Sequence, residues 1–377
     1  MARGDKHTQQ KRMALLIAML LAAAYAVDRF DPAPPKRPAR RRPKETKAAL
    51  PPPPPIPRQP PVPAPPTTLH PIFQQLAQQD TAKLFQPALQ LASRFLTSNC
   101  FLSYWYVVFY SPVTELPLPT TGESSPTTTT TTTQPGTRHF AFTADLPTHL
   151  TRSQIALTTL ALADLATCLT FDLRSPSPER AGGRCKHLRH LPAPPRAFRG
   201  HARCIQTSSY FHDMHNHPAV SEADRVWLLF ELAKTLLHEV AHAAVNAARG
   251  KGSGEHYFLR GGSVAEEGFQ LEACLLGGKV DLRRGEFHEA VAGYGGGGYG
   301  AGSEDVGGGP LIRGYLTPWP SWEAVEEYRV RGSLIGIRGP VPRHPRGREV
   351  RFERVRRLFT DEGWEEDVRR FGSLRLC

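Results

Sequence analysis

The stretch Leu236–Val245, LLHEVAHAAV, sets two histidines and a glutamate inside an apolar run. Residues four apart on a helix share one face, so His238 and His242 project side by side and can reach one metal ion through imidazole nitrogen. Glu239 follows the first histidine and can meet a water held at the open position of such a metal. Zinc would supply Lewis acidity and lower the pKa of that water, and the carboxylate would take its proton. The HExxH order therefore implies a zinc site and the hydrolytic half of a metallopeptidase. The same run has to be a core helix too, because two histidines and a glutamate on a packed helix are costly to bury without partners.

Working outward, the helix is well delimited. Ser221 is a natural N-cap, and Glu222 and Asp224 place negative charge in the first turn, where the helix dipole favours it. The body from there to Arg249 contains no Gly or Pro, and Gly250 follows as a stop. Val226, Leu229, Phe230, Ala233, Leu236, Leu237 and Val240 form a continuous apolar face. A catalytic zinc usually keeps three protein ligands, so one more is needed. His256 lies 14 residues past His242, Glu266 and Glu267 lie 24 and 25 past it, and Glu272 stands one to two turns further on. Ala265–Leu276 has helical composition and ends at Gly277-Gly278, so an acid near its start could face the first helix. The residues alone leave these alternatives open.

The rest of the 377-residue chain divides by composition. Residues 13–27, MALLIAMLLAAAYAV, form an apolar run after Arg3, Lys6, Lys11 and Arg12, with Ala24-Tyr25-Ala26 as an A-x-A site. We read 1–27 as a signal peptide or signal anchor, which implies a secreted or membrane-anchored protein. The run falls short of the about 20 residues of a spanning helix. The alternative is a buried helix of an intracellular protein. Residues 28–71 are a basic, proline-rich disordered linker; 32–71 alone hold 17 of the 36 prolines. Of the net charge of +12, +9 lies in residues 1–67, with 13 Lys/Arg against 4 Asp/Glu. The basic character thus belongs mainly to the tail, and nucleic-acid binding is not expected of the catalytic part. Residues 72–116 read as a helical segment interrupted at Pro87, then a buried strand over 101–110, FLSYWYVVFY. Residues 117–138, with the threonine run Thr127–Thr133, are a second linker.

Residues 139–377 form the expected folded domain. Ser153–Thr167 reads as a helix starting near Ser153, Cys168–Leu173 and Cys204–Phe211 as strands, 174–202 as basic loop, 293–309 as a glycine-rich flexible insertion, and 347–371 as helix. The six cysteines contain no CxxC pair, which argues against a zinc ribbon. Cys185 and Cys204 could pair in an oxidising compartment. The expected fold is α+β, zincin-like: a small mixed or mostly antiparallel sheet packed on the 221–249 helix. An edge strand beside that helix would bind extended protein or peptide substrate. Tyr257, His256 and Tyr294 are candidate donors to an oxyanion.

LLHEVAHAAV, then EHYF, then AEEGFQLEACLLGG, resembles a group of fungal zinc-metallopeptidase-like proteins. That group has an HExxHA helix, a short loop, and a second helix of the form A-E-x-G-[FY]-x-x-E ending in G-G. The matching positions here are Ala265, Glu266, Gly268, Phe269, Glu272, Gly277 and Gly278, and Arg357-Leu358-Phe359 with Trp364 is similar to its closing segment. The resemblance implies a gluzincin-like site with His238, His242 and Glu266 as zinc ligands, Glu239 as general base, and Glu272 in support. The helix is also similar to SprT-like metalloproteases, in which a third histidine lies about where His256 falls, but the cysteine-rich ribbon of those enzymes has no counterpart here. A non-catalytic zincin-like scaffold acting through the proline-rich tail is the alternative to an enzyme.

Overall fold

The computed structural model describes residues 69–116, 139–175, 183–187, 203–250, 256–258, 264–283, 311–322, 336–337 and 347–369, with Phe198 and Val325. The apolar run 13–27, the proline-rich linker, the threonine run and the glycine-rich insertion, with Tyr294, lie outside them. No helix among the described residues is long and apolar enough to cross a membrane.

In chain order the elements are helix α1 (Pro71–Ala77), a 3-10 turn (Asp80–Phe85), helices α2 (Gln86–Thr97) and α3 (Leu102–Tyr110), strands β1 (Val113–Leu116) and β2 (His139–Phe142), helix α4 (Arg152–Ala166), strands β3 (Leu169–Ser175), β4 (Gly183–His187) and β5 (Arg203–Ser208), and helix α5 (Tyr210–Asn216). Then come the long helix α6 (Glu222–Arg249), strands β6 (His256–Tyr257) and β7 (Val264–Ala265), helix α7 (Glu267–Leu276), strands β8 (Lys279–Arg283), β9 (Arg313–Thr317), β10 (Gly336–Ile337) and β11 (Arg348–Val350), and helix α8 (Phe352–Leu358). The architecture is mixed α+β with several small sheets rather than one large one.

Helix α6 is the axis of the core. Ser221 caps it, its hydroxyl accepting the Asp224 N–H at 3.1 Å, and buried Asp224 in turn accepts the Ile312 N–H at 2.8 Å, which ties the approach to β9 onto the helix start. Sixteen of its side chains from Ala223 to Ala247 are apolar and buried, so the helix is covered on nearly every side. Helices α2, α3, α7 and α8 pack against it, as do strands β4 and β5. At its far end Arg249 donates to the carbonyls of Val108 and Ser111, at 2.8 and 2.6 Å, and so sits on the C-terminal end of α3, where a cation is favoured.

Residues 101–110 form helix α3 and not a strand. Leu102, Tyr104, Trp105, Val107 and Val108 are buried between α6 and α4, and β-branched and aromatic residues fit a helix when it is surrounded. Pro87 does not interrupt a helix; it stands in the first turn of α2, where its missing N–H costs nothing. Arg94 of α2 reaches the carbonyl of Thr360 at 2.9 Å and the carboxylate of Asp361, which joins this N-terminal layer to the C-terminal segment. That segment is helical after its start: it opens with β11, runs through α8, and continues as a short α-helix over Asp361–Gly363 and a π-helix over Trp364–Arg369. Helix α4 begins at Arg152, one residue before Ser153, on a capping box formed by Thr151 and Gln154.

The sheet on α6 is the small mixed sheet expected, with both expected strands and one more. Its order is β3-β5-β4, with β3 parallel to β5 and β4 antiparallel to β5. The second expected strand stops at Ser208, and 210–216 is helix α5. Strand β4 lies inside the stretch read as loop. Its sequence, GRCKH, hides it because one face is charged: Arg184 and Lys186 share the outer face with Cys204 and Gln206, while Gly183 and Cys185 face inward with buried Thr207 and Ile205. This register puts Cys185 and Cys204 on opposite faces, so the two cannot be bridged, and both are free.

Candidate metal centre

The second helix brings its acids to the first. Glu266 is the N-cap of α7, with extended backbone, and its Oε2 accepts the Phe269 N–H. That bond turns the other oxygen, Oε1, outward toward α6. It lies 2.9 Å from His242 Nε2 and 3.1 Å from His238 Nε2, and the two Nε2 atoms are 3.3 Å apart. One carboxylate oxygen and two imidazole nitrogens therefore form a triangle that could hold a metal ion. Ligands 2.0–2.2 Å from a tetrahedral zinc stand about 3.3 Å from one another. The two nitrogens already have that spacing, and the oxygen is a few tenths of an ångström inside it.

Gly268 makes the approach of the two helices possible. A Cβ there would lie 2.4 Å from three ring atoms of His238, so only glycine lets the imidazole rest on the start of α7. Phe269 closes the other side of the ring, edge-on at 4.8 Å.

Each histidine also has its own carboxylate behind it. His238 donates from Nδ1 to Glu272 Oε1 at 3.0 Å, and His242 Nδ1 lies 3.4 Å from Glu267 Oε2. Both carboxylates are almost wholly buried, at 2% exposure. A histidine whose Nδ1–H is engaged in this way presents a fixed Nε2 lone pair, which is how metal-ligating histidines are usually oriented. Glu272 and His256 thus stand outside the triangle. His256 is 1% exposed and sits against Phe140 and Phe142, with its backbone N–H at 2.7 Å and its Nδ1 at 3.1 Å from Glu267 Oε1. It holds the carboxylate that holds His242. The side chain of Tyr257 lies outside the described residues.

The role of Glu267 is what the sequence reading missed. It was one of the acids that could be the third ligand. The signal for its actual place is the Glu266-Glu267 doublet at a helix start: a cap and the next residue leave the backbone in different directions. Here one reaches the Nε2 side of the histidines and the other the Nδ1 side.

Glu239 lies on the neighbouring face of α6, beneath β4. A Cβ on Gly183 would be 3.0 Å from its Cγ and 3.3 Å from its Oε1, and the Cys185 backbone lies close enough to favour its charged form. Among the described residues β4 is an outer strand of its sheet, so Glu239 stands under a sheet edge.

The charges reinforce one another. Burial would lower the pKa of His238, but Glu266 and Glu272 outweigh it and lift the value to about 9. Burial is likewise overcome at His242, which is raised well above the ordinary range by Glu266 and Glu267. Burial would raise Glu266, yet the two histidines pull its carboxyl far below the ordinary carboxylate range. Glu239 is pushed up by burial, a change that the histidines and the Cys185 N–H only partly offset. One carboxylate is held strongly ionised, and its neighbour is shifted toward the proton. No known protein family matches the chain, and no curated protein or solved structure matches it.

Proposed function

We propose that the chain is a zinc-dependent metallopeptidase of zincin-like, gluzincin-type build, acting on extended protein or peptide substrate. The observation that supports it is the single Glu266 oxygen facing two histidine Nε2 atoms, each histidine backed by a buried carboxylate on Nδ1. Two imidazoles and one carboxylate suit zinc, and three protein ligands leave a position for a reactant. Bound zinc would polarise a water and the scissile carbonyl. His238, His242 and Glu266 hold the ion, and Glu272 and Glu267 fix the two rings. Glu239, buried and with its pKa raised, accepts the proton of the water and delivers it to the leaving amine. The β4 edge supplies backbone donors and acceptors along which a substrate strand can align.

The test is hydrolysis of an unfolded protein by the full chain. Zinc-loaded wild type should cleave it, a chelator should stop cleavage, and added zinc should restore it. Glu239→Gln should keep zinc and lose at least about 100-fold in rate, the lower range for a missing general base. Zinc bound at one equivalent with no hydrolysis of any protein would favour a non-catalytic scaffold.

A further inference from the structure

The Nδ1 carboxylate of His238 has a partner of its own. Lys234, one turn before His238 on α6, is buried, with a side chain 10% exposed. Its ammonium lies 3.4 Å from Glu272 Oε1 and 3.5 Å from Glu231 Oε1. Lys234 and His238 therefore grip the same oxygen of Glu272. The other oxygen, Oε2, is buried and has no hydrogen-bond partner. Beside it is a cavity of about 10 Å³, lined by Phe95, Phe230, Leu237 and Leu271 together with Lys234, Glu272 and His238. That volume is about enough for one water centre.

Stability does not account for this arrangement. Taking a lysine and two carboxylates out of water costs several kcal/mol per ion, and replacing such buried pairs with apolar residues is often neutral or stabilising. The surrounding side chains are already apolar, so a methionine at 234 would suit the packing. The charge points instead at Glu272. With one oxygen unheld and a cavity next to it, the carboxylate can rotate unless Oε1 is pinned. His238 alone is a poor pin, because its ring orientation is the quantity being set. On the metal-site reading above, we infer that Lys234 is a positioning residue. It anchors Glu272 and thereby fixes the His238 ring, with Nε2 facing Glu266 and His242. The two sides of the site then differ: His242 is positioned through Glu267 and His256.

The experiment uses the full chain. Zinc affinity is measured by competition with a chromophoric chelator, cobalt(II) is added to read ligand geometry from its visible absorption, and thermal unfolding of the metal-free protein is followed alongside. Lys234→Met should weaken zinc binding about 10- to 100-fold, as loss of an orienting group does. It should also alter the cobalt(II) spectrum and leave the unfolding temperature equal or higher. Lys234→Arg should restore affinity to within a few-fold. Glu272→Gln should reproduce the loss, and the double variant Lys234→Met/Glu272→Gln should be no worse than the weaker single one, since both act through one carboxylate. If Lys234→Met does not fold, Lys234→Gln, of similar reach and without charge, takes its place. Unchanged affinity and spectrum in the uncharged variant would overturn the inference while leaving the metal site standing. So would a fall in unfolding temperature with no change in affinity, or additive losses in the double variant. A wild type that binds neither zinc nor cobalt removes the metal site, and the inference with it.

Discussion

The two histidines stand four residues apart on one helix, yet they are held by different means. His238 leans on Gly268 and is backed by Glu272, which is gripped by a buried lysine and borders a cavity. His242 is backed by Glu267, which is held by the backbone and ring of His256 between two phenylalanines. The first arm is charged, borders a water-sized cavity and is built within two adjoining helices. The second is tightly packed and reaches across to the β1-β2-β6 sheet. A ligand can thus be fixed either by ion pairing or by close packing. The two ways should fail differently: loss of ion pairing weakens the metal site, whereas loss of packing weakens both the site and the fold.

The largest expected effect falls on the first arm through sterics. Gly268→Ala places a methyl group 2.4 Å from the His238 ring, so the ring or the whole of α7 must move. Zinc affinity should drop more than about 100-fold, beyond the range for an outer partner alone. Isothermal titration would show it, and an unchanged affinity would mean that the helix approach is not what aligns the ligands. His256→Ala strikes the second arm. It empties a buried site and leaves Glu267 without its main partner, so unfolding should cost about 2–4 kcal/mol less and zinc affinity should fall about 10-fold or more. Denaturant titration of this variant beside Lys234→Met reads the contrast: equal stability losses in the two would erase the distinction between the arms.

A pH series sharpens the first arm further. The folded pKa of His238, about 9, exceeds the ordinary value of 6.5, so the metal-free folded chain binds more protons than the unfolded one between those values. This contribution is complete below pH 6.5 and is lost as pH rises through 9, up to about 3 kcal/mol for a shift of this size. Zinc competes with the same proton, so affinity should rise with pH over that window while metal-free stability declines. Parallel changes in the two quantities would contradict the assignment. The smallest effect belongs to Tyr104→Phe. Its hydroxyl donates to the Glu267 carbonyl at 2.8 Å, and removing it should cost about 1–2 kcal/mol of stability with zinc affinity unchanged.

Much of the site was legible because its first half is local. His238, Glu239 and His242 need only helix periodicity, and the Ser221 cap, breaker-free body and Gly250 stop delimit that helix in the sequence. The third corner was not legible from spacing. Glu266, Glu267 and Glu272 all reach a histidine of α6 in the fold, while His256 reaches Glu267, and tertiary packing alone decides which atom faces Nε2 and which Nδ1. The fold divides similarly. Local rules located α4, α6 with its Ser221 cap, and the cores of β3 and β5. They failed for FLSYWYVVFY, where complete burial overrode β propensity, and for GRCKH, where a half-exposed edge strand looks like a charged loop. The same edge strand lies against Glu239 at Gly183, so the least legible strand borders the proposed base.

The central claim is that Glu266 completes a zinc site with His238 and His242. Zinc content of the full chain, purified in trace zinc and compared with Glu266→Ala and His256→Ala, tests it most directly. The account predicts one zinc per wild-type chain, none in Glu266→Ala, and retained though weakened binding in His256→Ala. A wild type without zinc would contradict it, as would a full equivalent in Glu266→Ala with complete loss in His256→Ala.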